Sequence, residues 1–252
     1  MDTTNLKNRL ETKVQSIQET ASFDSSNTSL AMFPALEKQT LDIIRENLKH
    51  QSLSPEMLDI VKSPSGGSTV FSVPGLNGEE AEKELTGIIL DYTTPRAYWD
   101  TPDPIEGTPP VCLSLDSIIS HEGKSCAHCP YNDFGSKDGE SNAKACKESV
   151  LLFLLRPNNI LPTLVRIPVT SKPRFMKYLV RLLSSMTPIN GVVTKITLEK
   201  ATSKTGKPYA LFNFEAVGTL TQDESTMAKT FGKQLMEHMN TVAVIPKLEE
   251  VS

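Results

Sequence analysis

The first stretch of the chain carries apolar residues at helical spacing: Leu6, Leu10, Val14 and Ile17. A Ser/Asn/Thr-rich break, Ser22 to Ser29, follows it. A second helical pattern runs from Ala35 to His50, with Leu36, Leu41, Ile43, Ile44 and Leu48 as its apolar set. Ser54-Pro55-Glu56 predicts a short third helix, with Ser54 as N-cap and Pro55 in the first turn. Ser63-Pro64-Ser65-Gly66-Gly67-Ser68 has the composition of a linker. Residues 1–62 are therefore expected to be a helical N-terminal region, with the main domain boundary at that linker.

Beyond the linker the pattern shifts towards strands. Thr69 to Val73 reads as a short strand and Glu79 to Glu84 as an acidic turn or helix start. Leu85 to Thr94 and Pro110 to Leu115 read as strands, followed by a polar loop from Asp116 to Lys147. Val150 to Leu155 and Leu161 to Thr170 are strongly apolar strands. Ser171 to Met186 predicts a helix capped by Ser171, with Phe175, Leu179, Leu182 and Leu183 on one face. Val192 to Ala201 and Tyr209 to Val217 predict a hairpin, and Lys204-Thr205-Gly206 sits in its turn. Asp223 to Met239 predicts a last amphipathic helix.

A helix between the third and fourth of five strands is the order of an OB-fold, a small Greek-key barrel. In this reading Leu85–Thr94 is the first strand and Pro110–Leu115 the second. Val150–Leu155 with Leu161–Thr170 makes the third, and the hairpin supplies the fourth and fifth. The expected fold is mainly β with α additions. An OB-fold-like barrel covers 69–220, with a zinc insertion at 112–147, and a C-terminal helix and tail cover 221–252.

The chain has 252 residues, enough for one large domain or one domain with helical additions. No apolar run is long enough to span a bilayer, and the N-terminus lacks the pattern of a secretory signal. The expected location is the cytoplasm (the host's, if the protein is viral), with no membrane partner. The net charge of -4 hides an asymmetry. Lys144 to Phe214 holds twelve Lys/Arg against two acids, whereas Phe71 to Ala143 holds thirteen acids against four bases. The basic half attracts polyanions unless its charges merely cluster on solvated faces.

All four cysteines fall between Cys112 and Cys146, spaced C-x13-C-x2-C-x16-C. In a reducing compartment such a cluster points to metal ligands rather than disulfides. Cys126-Ala127-His128-Cys129 is a knuckle whose tight turn aims both sulfurs one way, as a tetrahedral Zn²⁺ requires. The candidate ligands are Cys112, Cys126, Cys129 and Cys146 for one structural zinc. His121 and His128 are the alternatives to one of them, or are ordinary exposed loop histidines. Four thiolates leave no position for water, so the ion braces rather than catalyses. The loop is too polar to order itself by burial, and metal binding supplies that free energy. A redox pair at a helix start, a zinc deaminase motif and metal-free buried cysteines are the competing readings.

Single strands are held by charge that tracks phosphates and by rings that stack on bases. Lys195, Lys200, Lys204, Lys207 and Tyr209 offer both on the hairpin; Phe212 and Phe214 share one face and read as core. Tyr92, Arg96, Tyr98 and Trp99 form a second aromatic-basic group, and Trp99 lies in a polar, Pro-rich loop. It is a stacking candidate or a cover on a barrel end. Lys172, Arg174, Lys177 and Arg181 spread along the helix as a solvated face or as phosphate contacts. No Walker A, G-x-G-x-x-G, H-E-x-x-H or G-x-S-x-G motif appears. A non-enzymatic role is expected.

Pro110-Val111-Cys112, the run Cys126 to Ser136, Ala145-Cys146-Lys147 and the hairpin together resemble the zinc-containing single-stranded DNA-binding proteins of bacteriophages and mobile elements. The plan is similar to that of the T4-type helix-destabilising protein, an OB-fold with an inserted zinc subdomain. That protein uses one histidine with three cysteines, whereas this chain offers four cysteines. It also lacks the long acidic tail common in such proteins, ending only in Glu249-Glu250 before Val251-Ser252. The resemblance implies binding of single-stranded DNA, with RNA as the other candidate. It also implies replication or recombination proteins as partners. The helical N-terminal region has no counterpart in that plan; self-association or cooperative binding is the role expected of it. The rival expectation is a zinc-braced, non-enzymatic interaction subunit of a viral transcription or replication complex.

Overall fold

The computed structural model describes residues 32–36, 40–49, 53–101, 108–138, 142–203 and 206–239. The expected helix over Leu6 to Ile17 lies outside them, as does Lys204. The described chain is mainly β: one curled eight-stranded sheet, a separate two-stranded ribbon and a C-terminal helix. No described helix is long and apolar enough to cross a membrane.

The strands are β1 (Ile60–Val61), β2 (Phe71–Gly75), β3 (Gly78–Glu82), β4 (Glu84–Thr93), β5 (Arg96–Tyr98), β6 (Cys112–Ser114), β7 (Lys147–Leu155), β8 (Thr163–Pro168), β9 (Val192–Thr202) and β10 (Pro208–Thr219). The helices are α1 (Thr40–Leu48), α2 (Lys172–Ser184) and α3 (Gln222–His238). The main sheet runs β1-β8-β7-β4-β9-β10, with β5 paired to both β6 and β7.

Strand β4 makes the curl. Its first half, Glu84 to Ile88, pairs with β9, and its second half, Ile88 to Thr93, pairs with β7. Between Ile89 and Asp91 the register shifts by one residue, a bulge that bends the strand. Both sheet faces are covered, which explains why Val150 to Leu155 is apolar without alternation. Val150, Leu152 and Leu154 pack with Phe71, Phe175, Tyr178, Ile196 and Phe212. Leu151, Phe153 and Leu155 pack on the other face with Ala228, Phe231 and Leu235 of α3. Thr221 and Glu224 form a reciprocal capping box that starts α3.

Several expectations change. Pro110–Leu115 is not a barrel strand: only Cys112–Ser114 is extended, and it pairs with β5. Val150–Leu155 and Leu161–Thr170 are two antiparallel neighbours, β7 and β8, rather than one strand. The cysteine loop therefore lies between β4 and β7 and spans 94–146. The acidic run is β3, paired with β2 and turning Glu79 and Glu80 to solvent. On α2, Ser171 makes no capping bond at its own helix; its hydroxyl accepts from the Phe212 amide at 3.0 Å. Leu183 is 71% exposed, and Tyr178 takes its expected place in the core.

In the described part of the N-terminal region the helices are shorter than expected. Its one described α-helix is Thr40–Leu48, and Ser54-Pro55 opens only a single 3₁₀ turn, Pro55–Met57. Phe33, Ala35, Leu36, Leu53 and Leu58 enter the same core as β4, β7 and α3. The Pro/Gly/Ser segment at 63–68 is anchored through its buried Gly67, while Ser65, Gly66 and Ser68 are exposed. Gly67, at φ +70°, lies so close to β9 and β10 that a Cβ there would meet Pro208 Cβ at 3.1 Å and Lys200 Cγ at 3.3 Å. With β1 parallel to β8, residues 60–67 reach from one edge of the curled sheet to the other.

Candidate metal centre and nucleic-acid interface

The cysteine loop is built from short, polar, hydrogen-bonded turns. Asp116 Oδ1 accepts from Ile118 N at 2.8 Å, Ile119 N at 3.1 Å and Ser114 Oγ at 3.0 Å. The two backbone amides are the main reason its carboxyl lies below the usual range. The chain then turns back, with an isolated bridge between Ile119 and Ser125. Cys126 to His128 form a 3₁₀ turn capped by Cys129.

This knuckle docks on the segment leading into β7. The Cys146 amide donates to Tyr131 O at 2.8 Å, and Asn132 Nδ2 donates to Cys126 O at 2.8 Å. Cys112 begins β6, which reaches β7 through β5. All four thiols are free, and Cys126 and Cys146 are buried. They lie within electrostatic reach of one another. Burial pushes the Cys146 thiol up to about 11; Arg96 lowers it, while charge on Cys129, Cys112 and Cys126 raises it. Burial likewise pushes Cys112 up, with Cys129, Glu122 and Cys126 adding to the rise and a bond from Ser120 opposing it.

Among the described residues no three His, Cys, Asp or Glu side chains already converge as a metal-coordinating group. The donor chemistry nevertheless suits a thiophilic ion: four sulfurs on three segments bonded to each other through their backbones. Both alternative histidines make a contact through Nδ1, which leaves Nε2 chemically able to serve as a ligand. His121 Nδ1 meets the Leu113 backbone, and His128 Nδ1 lies 3.3 Å from Ser125 Oγ.

The aromatic-basic group from the end of β4 divides. Tyr92 packs edge-on against Phe175, with ring centres 5.1 Å apart. Trp99 is buried, 7% exposed, and its indole N–H donates to Thr108 O at 2.9 Å; it covers the structure rather than offering a face to a base. Arg96 is also internal, paired with Glu148 and Asn132. Tyr98 stacks on Tyr131, with centroids 3.9 Å apart and planes 14° from parallel.

On the hairpin, Lys200 and Lys207 are exposed and Tyr209 is half-buried. Lys195 pairs with Glu215 across the strands at 3.0 Å. Phe212 is buried and Phe214 packs on Phe175 and Tyr178, as their shared face implied. On α2, Lys172 reaches Glu148 and Arg174 reaches Glu199, so part of the basic helix is internally neutralised.

Three residues on the surface of the cysteine loop were not among the candidate contacts named from sequence: Tyr131, Phe134 and Lys144. Phe134 is 77% exposed, and Lys144 Nζ lies 4.4 Å from its ring centre. The available signal was the presence of two rings in a Gly/Ser/Asp-rich loop without any periodicity to bury them. Comparison with protein-family models, curated proteins and solved structures finds no match to this chain.

Proposed function

We propose that this protein binds single-stranded DNA, without catalysis, in phage or mobile-element replication or recombination. The observation that carries the reading is the strand order β8-β7-β4-β9-β10 with α2 between β8 and β9. Counting β4, β7, β8, β9 and β10 as the five strands of an OB-fold keeps the helix between the third and fourth. The cysteine loop then becomes the connection of strands one and two, and the lysine-rich turn that of strands four and five. Those two loops are the ones OB-folds commonly use on oligonucleotides. Here they carry Lys144 and the exposed rings on one side, and Lys200, Lys207 and Tyr209 on the other.

In this reading Cys112, Cys126, Cys129 and Cys146 hold one Zn²⁺ as thiolates. The ion supplies ordering free energy to a loop with little apolar surface and takes no part in chemistry. Lys200, Lys204 and Lys207 neutralise phosphates.

The test is a titration of the full chain with labelled dT oligomer, RNA of equal length and duplex, at two salt concentrations. Preference for a single strand is expected. The log–log salt slope should be about -2 if the three hairpin-tip lysines each neutralise one phosphate. Little or no binding to any oligomer at low salt would end the reading. A second reading, a protein-interaction subunit, is favoured by the exposed stripe Met176, Val180 and Leu183 on α2. Stoichiometric co-purification with a polymerase subunit, without oligomer affinity, would select it.

A further inference from the structure

Two rings of the cysteine loop stand in solvent, Phe134 at 77% and Tyr131 at 43%, yet neither is loose. Tyr131 has one face against Tyr98 and the other turned away from that stack. Lys144 Nζ is held over Phe134 and also donates to Asn132 Oδ1 at 3.0 Å. Asn132 receives a second bond from Arg96, which is itself paired with Glu148 on β7. A chain of bonds thus fixes both rings and their cation to the sheet. The Tyr98–Tyr131 gap is closed, so a base can add only to an outer face. The patch is aromatic, with the Lys144 ammonium held over Phe134 and the exposed charges of Asp133, Lys137 and Asp138 around it. That mixture suits a base with its phosphate better than an apolar peptide.

We propose that Tyr131 and Phe134 form a stacking platform for one or two unpaired nucleobases, with Lys144 beside it for the phosphate, and that this platform selects single strands over duplex. Bases inside a duplex have both faces covered by neighbours, so only an unpaired base can take the ring. The inference rests on the single-strand reading above and deepens it.

The experiment compares the full chain with Phe134→Ala, Tyr131→Ala and Phe134→Trp by fluorescence anisotropy. The probes are labelled dT oligomer and an abasic oligomer of equal length and charge. Loss of one stacked base should lower dT affinity roughly 5- to 100-fold in each alanine variant, with abasic affinity unchanged within about 2-fold. Phe134→Trp keeps a ring and should restore dT binding. Phe134 is exposed, so its variants should retain the wild-type circular dichroism. Wild-type binding of dT no tighter than of the abasic oligomer would overturn the platform and leave single-strand binding standing. So would alanine variants that match the wild type, or that lose both oligomers equally. Failure of the wild type to bind either oligomer would remove the single-strand reading itself, and the platform with it.

Discussion

Glu148 joins the cysteine loop to the sheet. One carboxylate oxygen pairs with Arg96 of β5 and the other with Lys172 of α2, and the Glu148 and Arg96 side chains are each 11% exposed. Glu148→Gln preserves shape but removes the charge, leaving the Arg96 guanidinium nearly buried against neutral amides. Removing one partner of a buried ion pair costs about 3–5 kcal/mol. Lys172 is 31% exposed, so water recovers part of its share. The new amide also still accepts a hydrogen bond, which brings the expected loss to about 2–3 kcal/mol. With a urea slope of roughly 2–3 kcal/mol/M, the midpoint should fall by about 1 M. A cycle with Arg96→Met should give a coupling of about 2 kcal/mol. Hydrogen exchange should quicken in the loop at 126–145, since its anchor to β7 is weakened. The salt slope of oligomer binding should stay unchanged in Arg96→Met. A stability loss below about 0.5 kcal/mol, or additive effects in the cycle, would refute the bracing role. A salt slope reduced by about 0.7 would return Arg96 to the phosphate contacts that its sequence neighbourhood suggested.

Four further outcomes follow from the same geometry. An alanine Cβ at Gly87 would lie 2.3 Å from Leu155 O, at the end of the β4–β7 pairing where β4 passes to β9. Gly87→Ala should therefore destabilise by about 3 kcal/mol in urea unfolding, and a loss under about 1 kcal/mol would show that the approach is not that close. Trp99 emission should be blue-shifted, resistant to iodide and little changed by saturating dT oligomer; strong quenching by the oligomer would contradict its burial. Chelator-free protein should carry about one zinc equivalent, and stripping the metal should expose amides at 112–146 while β9 and β10 stay protected. Less than about half an equivalent would count against the four-thiolate site. The Glu199 carboxyl is held below its ordinary 4.5, first by Arg174 and then by Asn213. In the acid range the unfolded chain binds more protons than the folded one, so this contribution is complete above pH 4.5 and fades as pH falls through the lowered value. Glu199→Gln should flatten slightly the acid limb of a stability–pH curve; an unchanged limb would remove this pair from the account.

The parts legible in the sequence are those with a local cause. The β9–β10 hairpin, α2 and α3 fall close to their expected bounds because alternation, helical spacing and caps operate within a few residues. The apolar run Val150 to Leu155 announced a strand for the same reason. Local composition misled where two structures share it. A Pro/Gly/Ser segment serves a free linker or an anchored turn equally well. At 63–68 it is the anchored turn, because Gly67 adopts a left-handed backbone against Pro208. A run of glutamates reads as a turn until a neighbouring strand takes it, as β2 takes β3.

The candidate site divides along the same line. The sequence alone determined the four cysteines, the CxxC turn and the charge of the hairpin, because these are matters of residue type and short spacing. Only the tertiary structure decided where the cysteine loop enters the sheet, between β4 and β7. Only it decided that Trp99 and Arg96 turn inward while Tyr131 and Phe134 stay outside. A ring's exposure depends on contacts with residues far away in the chain: Trp99 finds Thr108 across a loop, and Arg96 finds Glu148 more than fifty residues on. Periodicity says which face of an element a side chain occupies; the packing of distant elements says whether that face is covered.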